Sequence, residues 1–452
     1  MNRYPMPSLD PVKRIQTFDE VATGYTWEMA QAEAGRCLHC KNAPCIQGCP
    51  VGINIPDFIQ AIRNEQIDEA YAIITRDNLF PAICGRVCPQ ESQCEALCVR
   101  NKRSESVAIG RLERFVGDHV TTCQIDSIVE IPHKVAIVGS GPSGLTCAFE
   151  LRRKGFQVTV FEALHLPGGV LTYGIPEFRL PKSIVNKEID HLRAMGVHIQ
   201  TNVVIGKTLT IDQLFSDGYE AIYLASGAGL PKFLNIPGES YNGVFSANEI
   251  LTRINLMKAY QSNSDTPLPT MHNIAVIGGG NVAMDAARSL KRLSKGTVYL
   301  VYRRSEAEMP ARKEEIEHAK EEGITMMLLT NPQAILADDT FRVRALQCIK
   351  MELTEPDESG RRRPVEIPDS SFLLEVDTVV EALGNFPNPL IRKSTKQLEV
   401  DRSGCFVVDE HLQTSIPLVY AGGDAVTGAA TVILAMGAGK KAAQSIYKKI
   451  IN

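Results

Sequence analysis

Eight of the chain's 12 cysteines fall between Cys37 and Cys98. They form two runs, Cys37-x2-Cys40-x4-Cys45-x3-Cys49-Pro50 and Cys84-x3-Cys88-Pro89-x4-Cys94-x3-Cys98. In a reducing compartment such density means metal ligation, because disulfides persist only under oxidising conditions. Zinc competes with iron–sulfur clusters for C-x-x-C pairs. His39, wedged between two cysteines, reads as a polar neighbour rather than a ligand. Arg100, Lys102, Arg103, Arg111 and Arg114 follow the second run, opposed by Glu105 and Glu113. That charge would either favour reduced clusters or form a solvated face.

The runs are similar to the ferredoxin run, a close C-x-x-C pair followed by further cysteines and a terminal Cys-Pro. There the last cysteine ligates the other cluster. Eight cysteines then suit two [4Fe-4S] clusters, although spacing alone does not read the pairing. We prefer an interleaved arrangement, with Cys37, Cys40, Cys45 and Cys98 on one cluster. Cys49, Cys88 and Cys94 hold the other, completed by Cys84 or by a non-cysteine group.

Two glycine-rich turns supply the second kind of chemistry. Gly139-Ser-Gly141-Pro142-Ser143-Gly144 follows an apolar β-branched run and opens a helix. The first glycine permits the tight turn, the second admits a pyrophosphate, and the third lets helix pack on strand. Glu162 ends the next strand, where its carboxylate can accept from a ribose. The second turn, Gly278-Gly-Gly280-Asn281-Val282-Ala283, is the alanine form of the same fingerprint. Its following strand ends in Arg303 and Arg304 instead of an acid. Arginines pair with a 2′-phosphate, so this turn is expected to take NADP(H) rather than NAD(H).

Further motifs resemble those of two-dinucleotide flavoproteins. Leu166-Pro-Gly168-Gly169 follows the acid; segments ending in Gly227 and Gly384 look like the paired crossovers. Gly422-Gly423-Asp424 resembles the late flavin motif, in which the Asp holds the ribityl chain. The helix starting near Thr431 and Val432 would aim its positive end at the flavin ring. The first turn is therefore expected to take FAD. No C-x4-C redox pair accompanies Cys147, so disulfide reduction lacks its second sulfur. No Ser-His-Asp or Cys-His nucleophile set is evident.

These groups need an α/β frame. The text before about residue 132 is helical, with an apolar stripe from Ile55 to Ile74. From Lys134 strands and helices alternate, giving two βαβ units and hence parallel sheets. The expected domains are a helical iron–sulfur domain at 1–132, an FAD domain at 133–250 and 385–452, and an NADP domain at 251–384. Loops are expected at Ser262–Pro269, Asp338–Thr340 and Glu355–Arg363. The charged run Arg312–Glu322 reads as an exposed helix face.

With 44% hydrophobic and 22% charged residues and a net charge of -4, the composition is that of an ordinary globular protein. That balance argues against nucleic acid or an anionic membrane as partner. No apolar run is long enough to span a bilayer, and the first sixteen residues do not read as a secretory signal. A cytoplasmic location is expected.

Nearly the whole chain resembles the small (β) subunit of NADPH-dependent glutamate synthase and its relatives. Those are the large subunit of NADH-dependent ferredoxin:NADP oxidoreductase and the N-terminal half of dihydropyrimidine dehydrogenase. The resemblance rests on the cysteine runs, Ile109-Gly-Arg-Leu-Glu113-Arg-Phe115, the flavin turn, Leu171-Thr-Tyr-Gly-Ile-Pro-x-x-Arg179-Leu-Pro-Lys182 and the late Gly-Gly-Asp. It implies FAD, NADPH and two [4Fe-4S] clusters in an electron-input enzyme, with Arg179 among the cofactor residues. It also supports the interleaved ligation and puts Glu113 ahead of Cys84 as the eighth ligand. Electrons would leave for a second redox subunit, either a glutamate synthase large chain or a ferredoxin or flavin reductase subunit. The alternatives are a bifurcating or ferredoxin-linked NADPH oxidoreductase and a pyrimidine-reducing complex.

Overall fold

The computed structural model describes residues 2–120, 127–357 and 362–451. The cysteine region is built of short helices. Trp27–Ala34 is capped by the Thr26 hydroxyl, which accepts from Met29 N. Glu65, at φ +59°, breaks the expected Ile55–Ile74 stripe into helices Ile55–Arg63 and Ile67–Thr75. Helices Pro81–Val87 and Ile109–His119 complete the domain, and each begins beside a cysteine run or the Glu113 motif.

Two five-stranded parallel sheets follow. The first uses β1 (Lys134–Val138), β2 (Gln157–Phe161), β3 (His198–Gln200), β4 (Ala221–Leu224) and, from the far end of the chain, β16 (Val419–Ala421). Their order is β16-β4-β1-β2-β3. The second sheet runs β6-β14-β7-β8-β9. Its strands are β6 (Val244–Ser246), β7 (Ile274–Ile277), β8 (Val298–Tyr302), β9 (Thr325–Leu328) and β14 (Thr378–Glu381). Because β6 pairs in parallel with β14, the second sheet claims residues ahead of the change-over expected at 250/251. Between the sheets the chain crosses twice, and the crossings pair as the short ribbon β5 (Leu230–Pro231) with β15 (Asn385–Phe386).

Between β9 and β14 lies an antiparallel sheet: β10 (Thr330–Ala337), β11 (Val343–Pro356), β12 (Arg362–Glu366) and β13 (Phe372–Glu375). Its apolar side, with Ile335, Leu346, Cys348 and Leu374, covers one face of the second parallel sheet. The expected turn at Asp338–Thr340 joins β10 to β11, with Asp338 accepting from Thr340 N. The tip of the expected loop at 355–363 lies outside the described residues. One core runs from Tyr25 and Phe58 in the cysteine domain through Leu145 and Val160 to Met436 and Ile446. The iron–sulfur and flavin portions are therefore packed as one body. Among the described residues no helix is long and apolar enough to cross a membrane.

Candidate functional site

β1 ends at Gly139, whose φ is +103°; a Cβ there would strike the Ala225 carbonyl at the end of β4. A Cβ on Gly144 would strike the Gly139 carbonyl, while Gly141 between them meets nothing within 4 Å. Protein thus closes on the outer glycines and leaves the middle one open. Helix Pro142–Arg153 starts at that opening without a side-chain cap, so its leading N–H groups are available to an anion. Glu162 is buried below the turn. One of its oxygens accepts from Ser140 N at 3.0 Å and from the Ser140 hydroxyl, and the other accepts from Leu164 N at 2.8 Å. Gly168 N donates to the Ser140 hydroxyl at 3.0 Å, and a Cβ on Gly169 would stand 2.8 Å from Gly141 Cα. Ser143 is turned inward, with its hydroxyl 2.7 Å from Tyr223 OH.

The late motif folds onto the same place. A Cβ on Gly423 would lie 2.9 Å from Ser143 Cβ. Asp424 accepts from Ala430 N at 3.2 Å, and burial raises its carboxyl above the usual range. Thr431 and Val432 open helix Val432–Ile451, which crosses helix Pro142–Arg153 where Gly439 meets Ser143. Sequence reading gave no role to Tyr173. Burial, then Asp424 and Glu162, push its phenol up to about 12, which places it beside both carboxylates. Its position in Leu171-Thr-Tyr-Gly was the available signal.

The second turn repeats the first. A Cβ on Gly278 (φ +147°) would strike the Ala382 carbonyl, whereas one on Gly280 would meet only Pro310, at 3.9 Å. Helix Asn281–Leu293 starts there, also without a side-chain cap. Asn281 accepts from Arg312 N at 3.0 Å, and Val282 packs at the core edge. Arg303 is exposed beyond β8, and Arg304 is half-buried with its Nε enclosed and unbonded. A buried guanidinium nitrogen without an acceptor fits a site for a phosphate oxygen. Gly227 and Gly384 follow β4 and β14, both at positive φ and both with open space beyond Cα.

The charged run is in part buried rather than exposed. Arg179 Nη1 lies 2.5 and 2.7 Å from the Asp285 carboxylate oxygens, and its Nε is 3.2 Å from Glu315. The side chain is thus engaged in a clasp between the two dinucleotide domains. In the run expected to be solvated, Arg312, Glu315 and Glu322 are buried. Glu322 takes Arg14, Arg288 and Arg292, and Arg288 also pairs with Glu315. Burial alone would raise these carboxyls, but Arg179 and Arg288 at Glu315, and Arg288 and Arg292 at Glu322, hold each at about 2. The clasp works because Arg179, Arg288, Glu315 and Glu322 each meet at least two opposite charges.

The cysteines gather in two groups. Cys37 and Cys45 both feel Cys98, Cys37 also feels Cys40, and all four line one largely apolar pocket. Cys94 feels Cys49, Cys88 and Glu113. Cys84 shares that second neighbourhood: its Sγ lies 3.6 Å from Asn78 Oδ1, while Asn78 Nδ2 donates to Glu113 at 2.6 Å. Burial pushes Glu113 up to about 8. Burial likewise raises Cys45 and Cys49 to about 11, so metal binding here must expel protons. The described cysteines are free thiols, as cluster ligands require. Among the described residues no three or more His, Cys, Asp or Glu close on a single point as one ion demands. A cavity of about 620 Å³ lies behind the clasp, lined by Arg3, Arg114, Arg179, Arg312 and Glu95.

Residues 14–125 match the family described as dihydropyrimidine dehydrogenase domain II, 4Fe-4S cluster, and residues 133–439 match the pyridine nucleotide-disulphide oxidoreductases. The glutamate synthase [NADPH] small chain of Halomonas elongata is 34% identical over 97% of this chain and 95% of its own length. This chain belongs to the glutamate synthase small-chain family of pyridine nucleotide-disulphide oxidoreductases. It is accordingly an FAD-dependent NADPH oxidoreductase with a 4Fe-4S domain. The NADP(+)-dependent formate dehydrogenase subunit beta of Moorella thermoacetica is 38% identical over 89% of this chain, which spans only 59% of that subunit. FprA, a Mycobacterium tuberculosis oxidoreductase, shares the fold at TM-score 0.59 and 22% identity, over 71% of this chain and 84% of its own.

Proposed function

We propose that this chain is the electron-input subunit of a cytoplasmic glutamate synthase. It would take electrons from NADPH and pass them to a large chain that carries the glutaminase and 2-oxoglutarate chemistry. When bound, FAD accepts hydride from NADPH, and the iron–sulfur clusters carry the electrons onward one at a time. The chain's own residues bind and orient. The open turns at Gly141 and Gly280 receive the two pyrophosphates on helix N-termini, Glu162 takes a ribose, and Asp424 the ribityl chain. Arg303 and Arg304 select the 2′-phosphate. Cys37, Cys40, Cys45 and Cys98 hold one cluster; Cys49, Cys88, Cys94 and Glu113 hold the other.

The observation that carries this reading is the near full-length match to a glutamate synthase small chain. The higher identity to a formate dehydrogenase beta subunit favours a second reading, an NADP-linked input module serving another redox partner. A reconstitution separates the two. Alone, the chain reduces dyes with NADPH and makes no glutamate. With a glutamate synthase large chain, glutamate forms from glutamine and 2-oxoglutarate. Cys37→Ser leaves rapid flavin bleaching intact and cuts that coupled rate. Glutamate from the isolated chain, or none after pairing, refutes the assignment.

A further inference from the structure

The two cysteine groups are not equivalent. Cys84, Cys88 and Cys94 are buried, and Cys84 Sγ lies 3.5 Å from Met436 Sδ. Met436 is on the helix that begins at Val432, so this inner group backs onto the flavin site. Cys37, Cys40, Cys45 and Cys98 are each partly exposed, whereas of the inner group only Cys49 is. Beside them two leucines face solvent, Leu38 at 57% and Leu97 at 46% exposure, each next in sequence to an outer cysteine. Surface leucines at an electron-carrying centre exclude water from an encounter.

The exposed charge around these cysteines is mainly positive. Lys41, Arg63, Lys102 and Arg103 are exposed and form no ion pair among the described residues, and Arg63 is close enough to influence Cys37. The segment carrying Lys102 and Arg103 is held against the outer group by Arg100, which donates to the Arg36 carbonyl at 2.9 Å. Two acids, Asp57, which lies 3.2 Å from His39, and Glu105, which accepts from Arg3 N at 2.9 Å, offset part of this charge and are outnumbered by the four cations. Farther back, Arg111 and Arg114 are tied to Glu314 and to Glu20 and Asp118.

We propose that this face, where Leu38 and Leu97 stand exposed beside the outer cysteines and Lys41, Lys102 and Arg103 form no ion pair among the described residues, is the docking surface for an acidic redox protein. The proposal rests on the electron-input reading above and adds where the partner binds and with which charge. Opposite charge steers encounter and sets orientation, and salt weakens it.

Two one-electron carriers test it against the holoprotein with NADPH: acidic rubredoxin and basic cytochrome c. Reduction of rubredoxin should be the faster at low salt and should slow steeply as salt rises. In the triple variant Lys41→Glu, Lys102→Glu, Arg103→Glu its rate and its directly measured binding should fall about tenfold or more. Cytochrome c reduction should hold or rise. NADPH:ferricyanide turnover and rapid flavin bleaching serve as references for integrity in each variant. Unchanged rubredoxin rate and binding in the variant, a wild-type preference for cytochrome c, or reduction of neither carrier despite normal bleaching overturns the docking surface alone. Absence of flavin bleaching by NADPH in the wild type overturns the electron-input reading beneath it.

Discussion

Removing Arg304 tests the nucleotide site where the structure is most specific. Among the described residues its Nε has no acceptor, so a bound 2′-phosphate oxygen would supply one. A hydrogen bond between a buried cation and a phosphate contributes about 1.5–3 kcal/mol. At about 1.4 kcal/mol per decade, Arg304→Ala should raise the KM for NADPH by roughly 10- to 150-fold. Arg303, exposed on the same turn, should contribute only a few-fold, as solvated cations do. NADH has no 2′-phosphate, so its KM should stay within about twofold in either variant. Because the native bond count does not change, thermal stability should hold as well. Steady-state kinetics with both nucleotides and a melting curve suffice. Equal losses for NADPH and NADH, or a large drop in melting temperature, would refute the assignment of this nitrogen to the phosphate.

Metal and flavin analysis of protein purified without oxygen should find about eight irons and one FAD per chain, as two four-iron clusters require; stoichiometric zinc, or iron near four, contradicts the two cysteine groups as cluster sites. Glu322→Ala should cost about 3–5 kcal/mol in chemical unfolding, since it leaves three buried arginines short of their carboxylate; a loss below about 1 kcal/mol would mean that Glu322 does not hold this arginine cluster. Glu381 is buried at the end of β14, and burial with the facing Glu239 lifts its carboxyl to about 7. Between the ordinary carboxyl range and that value the folded chain keeps a proton that the unfolded chain has lost, so stability should fall as pH rises from about 4.5 to 7. Glu381→Gln should flatten the slope in urea titrations across that window, and an unaltered slope rules the group out.

Most of the dinucleotide frame was legible because glycine spacing is a backbone requirement expressed locally. Gly139 and Gly144 must be glycine to fit against Ala225 and Gly139 itself, and Gly141 must be small to admit a ligand. The cysteine runs were legible as runs because their spacing is local, whereas the pairing of cysteines into two clusters is not readable from spacing alone. The charged run was not. Glu322 draws Arg14 from 308 residues away, and only the assembled fold shows that such a helix is walled in. A window of sequence contains the charges but not their distant partners, so it defaults to solvent. The partner of Arg179 was hidden for a related reason: Asp285 lies on the other domain's helix. The hairpin at Asp338 was visible from its turn residues, whereas the cover that its strands give the second sheet was not.

The core that runs unbroken from Phe58 through Cys84 to Met436 and Ile446 has a bearing on the protein's life in the cell. A separate ferredoxin-like module could lose its iron and leave the flavoprotein half standing. Here the inner cysteines are part of the wall against which the C-terminal helix rests, so a chain short of iron is also a chain with a faulty seat for flavin. Iron starvation or oxygen damage should therefore surface as loss of bound FAD and faster proteolysis of the entire polypeptide.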